Sequence, residues 1–278
     1  MSPSPPQSVV RSLLRARPPT IPLSRSLQTA RPRRAALAAP LLDLPHEQPP
    51  PHTPRLRLLE RAAIAFSSAF GALRDPMRQD LVAALGETTG PPTLIRMRDR
   101  MLEHPTGRRI LRERPLINSS TVDLAALRRL EDGMFGREYV RFLDAEGVSP
   151  DTRTEVKYIS DPELAYVMQR YRESHDFFHT LTGIPTTVEA ELALKWLELV
   201  QTGLPMTLLS SLVGPLRLTA VEREALLVHF APWAVQCGRR AEFVMNIMYE
   251  DHFERRLDDV RREFGFFTCP AEAADAVA

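Results

Sequence analysis

The 278-residue chain contains only two cysteines, Cys237 and Cys269, and they form no C-x-x-C pair. A chain of this length can bury a core without covalent cross-links, so we predict two reduced thiols and no disulfide framework. No apolar run reaches the roughly 18–20 residues that span a bilayer. Basic and acidic residues nearly balance, at 36 and 35, and no basic stripe stands out, which argues against nucleic-acid binding.

The first 42 residues contain no acidic side chain but seven arginines, which leaves 29 basic against 35 acidic residues in a mildly acidic body. Val10, Leu13 and Leu14 share one predicted helical face, with arginines beside them. We therefore predict a mitochondrial transit peptide over residues 1–42, followed by a Pro-rich linker over 43–54. A disordered basic tail is the alternative, and both interpretations remove this segment from the fold.

From Arg55 onward, apolar residues recur at helical spacing and almost nothing alternates with a period of two. This pattern predicts an all-α fold, a single helical domain over 55–266 with a flexible tail over 267–278. Gly and Pro separate the predicted helices, which cover 56–73, 76–86, 93–114, 122–131, 136–146, 161–182, 187–202, 219–236 and 239–264.

The helix predicted over 161–182 places a polar residue on its apolar stripe. His175 lies where the spacing otherwise puts hydrophobic side chains, and a polar group there needs a partner. His179 follows at i+4, so the two imidazoles can converge on one ion. Asp176 lies about 100° around the helix, where it can ligate the ion or orient a histidine.

The next predicted helix supplies a further carboxylate. Thr186 and Glu189 form a potential capping box, and the short loop after Gly183 turns this helix back antiparallel to the first. Glu191 then lies opposite His179, because each is about four residues from the turn. Two histidines with carboxylates suit Zn²⁺ best.

Two alternatives need no metal. His175 and His179 can be hydrogen-bonded core residues, and Glu191 can pair with Lys195 on a helix face shared with Glu198. Glu189 is better explained as a helix cap than as a metal ligand.

The sequence HDFFH, followed by eleven residues and Glu191, resembles the H-D-x-x-H-x₁₁-E signature of the family of mitochondrial coenzyme Q biosynthesis protein four. The blocks LRDPMRQDLVAALGETTG, GRRILRERPLI, DPELAYVMQRYRESHD and KWLELVQTGLPM are also similar and occur in the same order. The resemblance covers about Arg55 to Phe266. One departure is Ala190, where the family often has glycine.

The resemblance implies zinc bound by His175, Asp176, His179 and Glu191, with Asp176 or Glu191 as the catalytic acid. It further implies a carboxy-lyase of ubiquinone biosynthesis that removes the C1 carboxyl of 4-hydroxy-3-methoxy-5-polyprenylbenzoate to give the 2-methoxy-6-polyprenylphenol. The expected partners are this polyprenylated lipid and the other enzymes of the coenzyme Q synthesis complex. The expected location is peripheral, on the matrix side of the mitochondrial inner membrane, with homo-oligomer formation left open.

Two other functions compete with this one. A non-catalytic scaffold that binds lipid and organises the complex would use the metal only to join two helices. A metal-dependent phosphohydrolase would require further His and Asp ligands on other helices. For membrane contact we nominate the apolar segment Met206–Leu218, whose other interpretation is a buried helix end and turn.

Overall fold

The computed structural model describes residues 56–74, 79–153 and 155–270, except the side chains of residues 72–74 and 79. Within these ranges the chain is helical and contains no β-strand, only an isolated bridge between Met134 and Arg256. The predicted all-α class is therefore confirmed. The predicted transit peptide and the linker lie outside the described residues.

The described helices follow in the order α1 (Leu58–Arg74), α2 (Gln79–Thr89), α3 (Pro91–Glu103), α4 (Pro105–Glu113), α5 (Leu124–Arg128), α6 (Phe135–Glu146), α7 (Pro162–Thr182), α8 (Val188–Thr202), α9 (Pro205–Val213), α10 (Ala220–Ala225), α11 (Ala231–Arg240) and α12 (Leu257–Phe264). A π-helical turn, Leu226–Phe230, joins α10 to α11. Short 3₁₀ turns cover Pro150–Thr152, Gly214–Arg217, Val244–Asn246 and Tyr249–His252.

The prediction of one continuous helix over 93–114 is wrong, because the structure has two helices there, α3 and α4, with the break at Pro105. Proline has no N–H to donate within a helix, and its ring pushes the preceding residue out of the helical region. His104 is accordingly extended, with φ −104° and ψ 139°, and its Nδ1 accepts a hydrogen bond from the amide of Thr106 at the start of α4.

The helix predicted over 239–264 is also wrong, since α11 ends at Arg240 and α12 begins only at Leu257. A buried side chain from α8 replaces the missing helical hydrogen bonds. The amide nitrogen of Gln201 donates to the carbonyls of Gly238 and Ala241, and its oxygen accepts from the Val244 amide at 3.0 Å.

Helix α7 lies at the centre of the fold, with fifteen of its 21 residues buried. A helix buried on every side must pair its polar groups. Arg170 is 1% exposed and donates two hydrogen bonds to Glu250, at 2.5 and 2.9 Å. Nearby, the ring of Phe177 packs against aromatic side chains from α6 and from the 3₁₀ turn Tyr249–His252.

The turn between α7 and α8 is built on Gly183, which has a φ of +69° and donates its amide to the carbonyl of His179 at 2.7 Å. This left-handed conformation favours glycine and ends the helix. The predicted capping box is wrong: α8 begins after Thr187, without a side-chain cap, and Thr186 donates its hydroxyl to Glu146 instead.

The first residues of the predicted tail, 267–270, lie against the folded domain. The amide of Cys269 donates to the carbonyl of Thr182, and the carbonyl of Phe267 lies 3.8 Å from the Cys237 sulfur. Both described cysteines are free thiols. None of the described helices is long and apolar enough to cross a membrane.

Candidate metal centre

Three of the predicted ligands converge between α7 and α8. The Nε2 atoms of His175 and His179 are 3.2 Å apart, and the carboxylate of Glu191 lies 3.2 Å from His179 Nε2 and 3.6 Å from His175 Nε2. Zinc in a tetrahedral site has bonds of about 2.0–2.2 Å, which place its ligand atoms about 3.3–3.6 Å from one another. The observed separations match this spacing, so the residues present fit a zinc ion.

The other ring nitrogen of each histidine is already engaged. His175 Nδ1 lies 2.6 Å from the carboxylate of Glu198, and His179 Nδ1 lies 3.0 Å from the carbonyl oxygen of Ile184. A carbonyl or an ionised carboxylate can only accept, so each Nδ1 donates and each neutral ring keeps its lone pair on Nε2. Two imidazole lone pairs and a carboxylate therefore face one another, an arrangement that calls for a cation.

The electrostatics of the site also favour positive charge. Burial and the nearby Lys195 lower the pKa of His175, but the carboxylates of Glu198 and Glu191 outweigh them and raise it above its ordinary value. Burial would raise the pKa of Glu191, but hydrogen bonds and attraction from the two histidines, when their rings are protonated, lower it far below its usual range. Glu191 is thus held as a carboxylate.

The site is buried on one side and open on the other. The side chain of His179 is 1% exposed and its ring stacks on Phe142, with centroids 4.9 Å apart. The side chain of Glu191 is 34% exposed. Glu191 is therefore the most exposed of the three converging residues.

Asp176, the fourth predicted ligand, is not among the converging groups. Its carboxylate is almost fully buried and accepts a hydrogen bond of 2.5 Å from Arg153, in the loop that follows the 3₁₀ turn Pro150–Thr152. Asp176 follows His175 directly, so its side chain leaves α7 about 100° away from the imidazole. The structure therefore places it beside the centre and turned toward Arg153.

Sequence reasoning assigned Glu198 no part in the site, but its carboxylate lies 2.6 Å from His175 Nδ1. It lies seven residues after Glu191, two turns along the same face of α8, and that spacing was the available signal. The predicted alternative of a Glu191–Lys195 pair does not match the observed contacts, since Lys195 donates to Glu198 at 2.8 Å and Glu191 faces the histidines. Along α7 and α8, His179 contacts Glu191 and His175 contacts both Glu191 and Glu198.

Comparison with known proteins identifies the family. The model of the family described as "Coenzyme Q (ubiquinone) biosynthesis protein Coq4" matches residues 51–270. The chain belongs to this family. It is 52% identical over 219 residues to the mitochondrial ubiquinone biosynthesis protein COQ4 of Laccaria bicolor, covering 79% of this chain and 73% of that one. It is 50% identical to the human mitochondrial COQ4 homolog, covering 76% of this chain and 80% of that one.

A crystal structure described as that of a ubiquinone biosynthesis protein from Nostoc punctiforme has the same fold. It superimposes with a TM-score of 0.60 at 18% sequence identity and covers 73% of this chain and 97% of that chain. Membership of the Coq4 family gives the chain a role in ubiquinone biosynthesis.

Proposed function

We propose that this chain is a zinc-dependent carboxy-lyase of mitochondrial ubiquinone biosynthesis. It would remove the C1 carboxyl of 4-hydroxy-3-methoxy-5-polyprenylbenzoate as CO₂ and release the 2-methoxy-6-polyprenylphenol. The observation that supports this most directly is the meeting of two Nε2 lone pairs and the Glu191 carboxylate at the edge of the core. The N and O donors favour zinc.

His175, His179 and Glu191 would hold the metal, and Asp176 could join them only by releasing Arg153. Zinc, when bound, supplies a Lewis acid that polarises an oxygen of the substrate. The three protein ligands would leave a fourth position for that oxygen, as in catalytic zinc sites.

The chain's own carboxyl groups would handle the proton. A proton must add to ring carbon C1, after which the C1–carboxyl bond breaks, its electron pair returns to the ring and CO₂ leaves. No oxidant is needed. Glu191 is one of the converging groups and Asp176 follows His175 directly on α7, and we assign the proton transfer to one of these two residues. Protonated histidines beside Glu191 would lower its pKa and disfavour a proton on it.

The polyprenyl tail of the substrate requires a route from a membrane. Within Met206–Leu218, Leu208, Leu212 and Leu216 are 45%, 60% and 71% exposed, whereas Ser211 and Pro215 are buried. Leu208 and Leu212, four residues apart, share one face of α9, and Leu216 follows them in the 3₁₀ turn, so we treat the three leucines as one apolar edge. We propose that this edge contacts the matrix side of the inner mitochondrial membrane, where the chain would work with the other enzymes of the coenzyme Q synthesis complex.

A scaffold without catalytic activity is the second candidate. Its support is that the converging residues come from both α7 and α8, so that a metal there would also cross-link two helices of the core.

The test is elemental analysis of the purified chain together with CO₂ release from the substrate labelled at the C1 carboxyl. We expect one zinc per chain and labelled CO₂, both lost in His179→Ala and both retained in His229→Ala, a histidine on the exposed side of the π turn. Zinc without CO₂ release would refute the enzyme and favour the scaffold. Absence of zinc from a correctly folded chain would refute both.

A further inference from the structure

A fully buried carboxylate, that of Glu198, contacts the ring nitrogen of His175 that faces away from the candidate metal centre. The side chain of Glu198 has no solvent exposure and lies on α8, two turns after Glu191. Burial of an ionised carboxylate is costly unless donors surround it. Three donors do so: His175 Nδ1 at 2.6 Å, the Tyr171 hydroxyl at 2.5 Å and Lys195 Nζ at 2.8 Å.

The two oxygens of Glu198 have different tasks. Oε2 accepts from both Tyr171 and Lys195, whereas Oε1 accepts from His175. Tyr171 and Lys195 therefore fix a charged carboxylate that presents one oxygen to the imidazole.

We propose that Glu198 is a positioning residue of the metal centre, which holds His175 in the Nδ1–H tautomer and so aims the Nε2 lone pair at the metal. This inference rests on the proposed metal centre. It extends the site beyond the three converging groups to Glu198, with Tyr171 and Lys195 as the residues that hold Glu198 in place.

The two histidines differ in how they are held, and this difference makes the inference testable. His179 donates to a backbone carbonyl at Ile184, which no side-chain substitution removes. His175 donates to a side chain, which can be changed. His179 is therefore an internal control for any change that affects only the orientation of His175.

Glu198→Gln is the informative variant because it keeps the size of the side chain and removes one acceptor. Lys195 and Tyr171 compete for the single amide oxygen, so the amide nitrogen is left beside His175 Nδ1. A donor at that position favours the opposite tautomer, with the proton on Nε2, where it blocks the metal. Loss of such a carboxylate partner typically weakens metal binding about 10–100-fold.

The experiment compares the wild-type chain, Glu198→Gln and Tyr171→Phe as full-length proteins. Zinc affinity is measured by competition with a chelator, and the histidine tautomers are read from ¹⁵N chemical shifts in the metal-free proteins at alkaline pH. Tyr171→Phe is a graded comparison within the same network, since it removes one of the two donors to Oε2 and leaves the contact between Oε1 and His175 intact. Circular dichroism verifies that each variant is folded.

The expected result is a Nδ1–H tautomer for both histidines in the wild-type chain. In Glu198→Gln we expect His175 to shift toward Nε2–H while His179 stays unchanged, with zinc affinity about 10–100-fold weaker. Tyr171→Phe should stay much closer to wild type. Wild-type zinc affinity in Glu198→Gln, or an unaltered His175 tautomer, would overturn the role of Glu198 and leave the metal centre standing. A wild-type chain that binds no zinc would instead refute the metal centre.

If Glu198→Gln fails to fold, the ¹⁵N spectrum of the metal-free wild-type chain still tests the proposed role of Glu198. A His175 that carries its proton on Nε2 in the metal-free wild-type chain would contradict the proposed role of Glu198, whatever the variant does.

Discussion

Zinc should stabilise the fold, and His179→Ala should abolish that effect. His179 lies on α7 and Glu191 on α8, so a metal held by both would bind the folded chain and not the unfolded one. A ligand at about 1,000 times its dissociation constant stabilises the folded state by about 4 kcal/mol. For a domain of about 150–250 residues, each kcal/mol raises Tm by about 2–4 °C. Zinc should therefore raise the wild-type Tm by about 8–16 °C.

The substitution has a cost of its own that must be separated from the loss of metal. His179 is buried, stacks on Phe142 and donates to the carbonyl of Ile184, so its truncation should destabilise the metal-free chain by about 1–3 kcal/mol. This cost is present with and without zinc. The decisive quantity is therefore the difference between the two melting temperatures of each protein, in which the packing cost cancels.

The assay is thermal unfolding of wild type, His179→Ala and Glu191→Gln, each after treatment with a chelator and again with zinc. Glu191→Gln removes a ligand charge from a side chain that is one-third exposed, so its packing cost should be small. Both variants should show almost no zinc-induced shift, whereas His229→Ala should shift like the wild type. A shift in His179→Ala as large as in the wild type would refute the assignment of His179 as a ligand.

Three further outcomes follow from the same structure. Leu212→Glu should release the chain from liposomes at unchanged zinc content and helicity. Ile95→Glu, at an exposed apolar residue of α3, should bind liposomes like the parent. Equal binding of the two variants would contradict the proposed membrane edge. Asp176→Asn should strongly lower the rate of CO₂ release while changing Tm little, because an amide oxygen can accept a hydrogen bond from Arg153 but an amide cannot deliver the proton. A retained rate of CO₂ release would exclude Asp176 as the acid. Deletion of residues 1–40 should leave the chain in the cytosol with its fold intact, and undiminished mitochondrial delivery would contradict the predicted transit peptide.

The parts of the site that sequence could predict are those fixed by local geometry. The i, i+4 spacing of His175 and His179 places both on one helix face, and the glycine at 183 ends the helix a fixed distance later. Glu191 then meets His179 because both are about one turn from the same loop. These relations need only the helical repeat and a short connection, and in the structure the Glu191 carboxylate lies 3.2 Å from His179 Nε2.

A long-range hydrogen-bond network explains why the helix predicted over 239–264 is wrong. The segment after Arg240 has the composition of a helix, but Gln201, some forty residues earlier in the chain, binds its backbone and holds it in turns. The break at Pro105 is different, since it is local, and the proline itself is a sufficient signal.

Asp176 shows why a motif does not determine where its side chains point. Its position next to His175 permits either a metal contact or a contact on the flank of α7, and the helix alone favours neither. In this structure the contact with Arg153 determines where the Asp176 side chain points. A nearly buried carboxylate is stabilised by a guanidinium at hydrogen-bond distance. It would be less stable facing a second carboxylate, Glu191, across two neutral imidazoles. A bound cation would compete with Arg153 for the Asp176 carboxylate, because it would offer a positive charge on the side of the histidines. Its competition with Arg153 would then depend on whether the loop around residue 153 can release the carboxylate.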